Sequence, residues 1–107
     1  MLILQIMKHS PESCPLGNPA NLATVIQWLE NLGPSAANLG ISVVGVWTDR
    51  AGHVSYAIFD TPSMEAFTSL EVDPANIPLL TFNSIEKKVV TSASETLAFF
   101  KARQATM

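Results

Sequence analysis

The stretch Ile41-Ser42-Val43-Val44-Gly45-Val46-Trp47-Thr48-Asp49-Arg50-Ala51-Gly52-His53-Val54-Ser55-Tyr56-Ala57-Ile58-Phe59 decides the fold. Two runs rich in β-branched and aromatic residues flank a short polar segment, which is the pattern of a hairpin. Ile41 to Thr48 is expected as one strand and His53 to Phe59 as the next. Asp49 to Gly52 forms the turn, with Asp49 bonding its own backbone and Gly52 suited to positive φ.

Upstream of the hairpin, Asn18 caps a helix with Pro19 at its first position. Leu22, Val25, Ile26, Leu29 and Leu32 recur at helical spacing and predict its buried stripe. Gly33-Pro34 should stop or kink it, with one or two further turns before Gly40. Ahead of the helix lie the strand Met1 to Lys8 and a loop marked by Pro11, Pro15 and Gly17. Downstream, Thr61 is the expected cap of a second helix that carries Met64, Phe67 and Leu70 and ends at Asp73-Pro74. Ile77 to Val90 is expected as a long fourth strand, bent or bulged near Asn83-Ser84. Ser92 and Glu95 form a capping box for a last helix, which Leu97 and Phe100 should dock.

The order strand, helix, strand, strand, helix, strand, helix predicts an α+β fold. It is the ferredoxin-like βαββαβ arrangement with an extra C-terminal helix and an antiparallel sheet, as one domain over residues 1–107. In such a sheet the helices cover one face only. Yet both alternating sets of side chains are apolar here: Val43 and Trp47 against Val44 and Val46, and Val54, Tyr56 and Ile58 against Ala57 and Phe59. An uncovered apolar face of that size is an interaction surface, and packing against a second copy would bury it. A homodimer is therefore expected. The alternative is that the last helix or the Pro34–Gly40 segment folds over that face.

Composition supports association. Charged residues make up 14% of the chain against about 25% in an average soluble domain. The net charge of −3, with six thinly spread basic residues, gives no footprint for a phosphate backbone, so no nucleic-acid partner is expected. No apolar run reaches the roughly 20 residues that cross a bilayer, so no membrane partner is expected either. The single cysteine cannot form an internal disulfide, which points to a reducing cytoplasm.

The strand order, the loop His9-Ser10-Pro11-Glu12-Ser13-Cys14-Pro15, the Leu39-Gly40 step, and Val46-Trp47-Thr48-Asp49-Arg50-Ala51-Gly52-His53 with Tyr56 beyond it carry a resemblance. The chain resembles the dimeric α+β barrel superfamily, nearest to small uncharacterised families such as the DUF3303 group. That resemblance implies the fold and a dimer. The superfamily includes cofactor-free monooxygenases, lactone isomerases, haem enzymes and ligand-binding domains, so it implies no single reaction and no particular cofactor.

In this topology the loop after the first strand and the central hairpin share one end of the sheet. Both histidines and the only cysteine therefore meet there. Three readings follow. His9, Cys14 and His53, with Glu12 or Asp49, have the donor chemistry of a transition-metal site, although the His9-to-Cys14 spacing matches no standard zinc motif. His9 or His53 has the titration range of a general base, which would suit a cofactor-independent enzyme of monooxygenase or isomerase type. Or both are structural, with Cys14 a small buried apolar residue. Separately, Trp47, Tyr56 and Phe59, with Phe82, either pack the sheet or line a pocket for a small apolar ligand between helices and sheet, and Arg50 at the hairpin tip is either solvated or holds a carboxylate. Small-ligand binding is the leading expectation from sequence.

Overall fold

The computed structural model describes residues Met1–Met107. Strand β1 (Leu2–Lys8) is the spine of the sheet, because it pairs on both sides. β3 (Val54–Asp60) lies on one flank and β4 (Ser84–Val90) on the other, while β2 (Ser42–Asp49) pairs with the outer edge of β3. The order β2-β3-β1-β4 is antiparallel throughout. Helices α1 (Pro19–Ala37) and α2 (Met64–Glu71) complete the βαββαβ order, and α3 (Ala93–Gln104) follows it. The architecture is α+β and ferredoxin-like, as the order of apolar segments predicts.

The register assigns the faces. Ile3, Gln5 and Met7 stand opposite Phe59, Ala57 and Ser55 and point toward the helices. They bury Ile3, Met7, Ala57 and Phe59 with Trp28, Leu32 and Ala36 of α1 and Phe67 and Leu70 of α2. Phe59 and Phe67 are 1% and 0% exposed with ring centroids 5.2 Å apart. Truncating either to alanine would cost about 3–5 kcal/mol. On the other face Leu2, Leu4 and Ile6 align with Tyr56 and Ile58 of β3 and with Glu86 and Lys88 of β4. Trp47 joins them opposite Tyr56. A Cβ on Gly45 would lie 2.5 Å from the Trp47 indole, so that glycine is what lets the ring rest on the strand. The β2 register shifts between Val43 and Gly45, which leaves Val44 bulged and exposed.

Several local expectations are corrected. The buried stripe of α1 is Trp28, Leu32 and Ala36 with Val25 partly buried, whereas Leu22, Ile26 and Leu29 are exposed. The large Trp28 ring lies in the core over the sheet. Pro34 does not end α1. It sits on the solvent side with Gly33, while Leu32 and Ala36 anchor the helix on either side of it. Their burial offsets the roughly 3 kcal/mol that an interior proline costs. Ser63, not Thr61, caps α2: its Oγ accepts from the Ala66 N–H at 3.0 Å, while the buried Thr61 hydroxyl donates to the Ser63 carbonyl.

The expected long fourth strand is a 3₁₀ turn over Ile77–Thr81 followed by β4. Buried Leu79 and the bond from Asn76 Nδ2 to the Leu70 carbonyl, 2.7 Å, hold that turn against α2. Finally, α3 is capped by Ser92 as expected but buries none of its residues, and Leu97 and Phe100 stand exposed rather than docked.

Candidate functional site

The antiparallel pairing of β1 and β3 ends at Lys8 and Val54. The next residues outward are His9 and His53, and the His9 N–H donates to the His53 carbonyl at 3.2 Å. Their rings meet edge to face with centroids 5.3 Å apart. Cys14 comes from the loop above, between 3₁₀ turns over Pro11–Ser13 and Pro15–Gly17. Two contacts fix that loop. Ser10 Oγ accepts from the Ser13 N–H, and Asn21 Nδ2 of α1 donates to the Ser13 carbonyl at 2.9 Å. As a result one ligand atom each from His9, Cys14 and His53 lies within 4.8 Å of the other two.

His53 occupies this position at a conformational cost. Its φ is +59°, in the left-handed region that side chains rarely adopt. The sequence pointed to Gly52 for positive φ, and the structure corrects this. Gly52 is needed for space: a Cβ there would run into the Asp49 carboxylate, whose Oδ1 accepts from the Gly52 N–H at 3.0 Å.

Two buried nitrogens in the cluster, His9 Nε2 and His53 Nδ1, have no hydrogen-bond partner. Buried polar atoms are seldom left so. The His9 pKa lies below its ordinary 6.5, first through burial and then through repulsion from His53, while a hydrogen bond with the Asn83 side chain pulls the other way. Burial disfavours the charged imidazolium, which favours the neutral ring that can offer a lone pair. Asn83 itself is anchored by donating from Nδ2 to the Leu79 carbonyl at 3.1 Å.

The remaining sequence candidates do not join this cluster. Glu12 is exposed in the first turn, and Asp49 is engaged by the hairpin backbone. Arg50 is exposed at the tip. Trp47 and Tyr56 lie on the open face and are 54% and 38% exposed, whereas Phe59 is buried on the helix face. The structure thus divides that set between two sides of the sheet. The space between α1, α2 and the sheet is about 20 Å³, roughly one water, so the expected apolar pocket there is filled by side chains. Wider clefts of about 440 and 570 Å³ open where α3 leaves the sheet, beside Val90, Thr91, Glu95 and Phe99, and neither is lined by a histidine. Asn83 is the one site residue that sequence reasoning passed over, since it carried only the signal of a bend.

No family model matches the sequence, and no curated protein matches it. Among solved structures, one described as the crystal structure of an antibiotic biosynthesis monooxygenase superposes with a TM-score of 0.53 at 10% identity. The match covers 86% of this chain and all of the other. At that identity the likeness shows the fold. No helix is long and apolar enough to cross a membrane.

Proposed function

We propose that this protein binds a transition-metal ion through His9, Cys14 and His53. The observation that carries the reading is the convergence of three donor atoms within 4.8 Å, two of them on imidazoles with an unpartnered buried nitrogen. Two neutral imidazoles and a thiolate suit zinc or copper and disfavour magnesium or calcium, which take oxygen donors. Asn83 beside His9 is the kind of outer partner that orients a metal-ligating imidazole. A reducing compartment would keep the Cys14 thiol free to ligate.

The test is direct. Protein stripped with chelator is titrated with zinc while binding is followed by calorimetry, and bound metal is counted by elemental mass spectrometry. One ion per chain is expected, with binding lost in His9→Ala, Cys14→Ser and His53→Ala. Wild-type protein that retains no ion, or variants that bind as well as it does, would overturn the proposal.

A second reading concerns assembly. Only 14 of 107 residues are buried, while Trp47, Tyr56, Val44 and, on α3, Leu97, Phe99 and Phe100 remain exposed. The single domain is read as one half of a homodimer with the open sheet faces packed together. This is also the arrangement that the superfamily resemblance implies.

A further inference from the structure

We propose that the ion held by His9, Cys14 and His53 keeps one coordination position for an exchangeable small anion. This rests on the metal-binding reading and adds what kind of centre it is. Structural zinc sites are closed by four protein donors, whereas sites that handle a ligand have three and leave the last vertex free. Here the histidine, cysteine and acidic side chains that converge are three in number.

The acids nearest in sequence do not supply the fourth. Asp49 holds the Gly52 N–H with Oδ1, and Glu12 is exposed in the turn over Pro11–Ser13. The three donors come from the end of β1, the loop above it and the start of β3. The backbone bond between His9 and His53 and the tether from Asn21 to Ser13 hold those elements in place. Backbone rearrangement of these elements would have to break them. All three donor residues are partly exposed.

The charge balance sets the ligand class. A divalent ion with one thiolate and two neutral imidazoles carries a net positive charge. With no carboxylate in the cluster, a small anion neutralises it best. Hydroxide, azide, cyanide and an external thiolate are all of that class. Water bound at the same vertex would be acidified by the ion.

Cobalt(II) substitution tests this, because its visible bands report the coordination sphere and sulfur ligation adds a charge-transfer band. Stripped wild-type protein is loaded with cobalt(II) to one equivalent and then titrated with sodium azide. The expected result is a saturable change in the visible bands that reverses on gel filtration, with the sulfur charge-transfer band retained. A cobalt spectrum that saturating azide leaves unchanged would overturn the open-vertex proposal while leaving metal binding intact. Displacement of cobalt by azide with loss of all visible bands would overturn it too. Failure of cobalt to bind would overturn the metal-binding reading itself, so the two failures are distinguishable. The Cys14→Ser variant, loaded in the same way, should lose the sulfur charge-transfer band. If it keeps that band, Cys14 is not a ligand and the charge argument fails.

Discussion

Replacing His53 by glycine should separate what position 53 does for folding from what it does for the site. Four effects compete in the metal-free protein. The left-handed φ of +59° costs a side chain about 1–2 kcal/mol, which glycine recovers. The buried Nδ1 without a partner costs on the order of 1 kcal/mol, and it disappears. Against these, glycine adds about 0.5–1 kcal/mol of backbone entropy to the unfolded chain. The edge-to-face contact with His9, about 0.5–1.5 kcal/mol, is also lost. The sum runs from about −0.5 to about +2 kcal/mol in favour of glycine, where an ordinary destabilising substitution costs about 0.5–3 kcal/mol.

Urea denaturation in chelator should therefore find His53→Gly equal to wild type or slightly more stable. With zinc at a hundred times its dissociation constant, wild type should gain about 2.7 kcal/mol and the variant nothing. The rank order then favours wild type only when the ion is present. Metal-free His53→Gly that is less stable by more than about 2 kcal/mol would refute the reasoning, because the imidazole would then be a packing element. So would an equal zinc effect on both proteins.

Two further outcomes are expected. The open face holds Trp47 opposite Tyr56 while Val43 stands opposite Phe59 on the helix face, so Trp47→Glu should give a folded monomer and Val43→Glu a destabilised chain; light scattering with circular dichroism checks this, and a wild-type monomer at micromolar concentration would refute the dimer. The depressed His9 pKa makes the unfolded state bind more protons than the folded state just below pH 6.5, so metal-free stability should fall as pH drops through 6.5 and level off below the folded value. His9→Asn should flatten that part of the profile in denaturant melts across pH, and identical slopes for the two proteins would refute it.

Those outcomes depend on details that were unevenly legible in the sequence. The element order was readable because each run of apolar residues is bounded by a cap or breaker: Asn18-Pro19, Asp49 to Gly52, Ser92 with Glu95. The buried face of α1 was not, because two apolar ridges run along it, and only the sheet decides that Trp28 and Leu32 face inward rather than Leu22, Ile26 and Leu29. Pro34 left a stop or a kink with further turns open for a related reason: propensity is a local quantity, and the anchoring of Leu32 and Ala36 carries the helix on past it. At Asn83-Ser84 the strand begins rather than bends, because β4 is only as long as the β1 it pairs with. The meeting of His9, Cys14 and His53 followed from topology alone. The left-handed backbone of His53 and the Asn83 contact did not, since neither has a sequence signature.

The loop contacts place Cys14, but the pairing of His9 with His53 is enforced by the core. Lys8 pairs with Val54, and continuing the same antiparallel register one step places His9 beside His53. The register is itself set by which residues must be buried: Ile3 against Phe59 and Gln5 against Ala57, with Met7 beyond, all on the helix face. A slip of one residue between the two strands would turn either Phe59 or Ile3 out to the open face and carry the imidazoles apart. The two nitrogens without partners are thus held together by burial several residues away, where a mutation would not touch the site. The chain can keep a left-handed residue and two imidazoles in contact because the β1–β3 ladder holds them there. A left-handed residue maintained against local preference in this way is the kind of stored strain that the proposed metal-binding role would use.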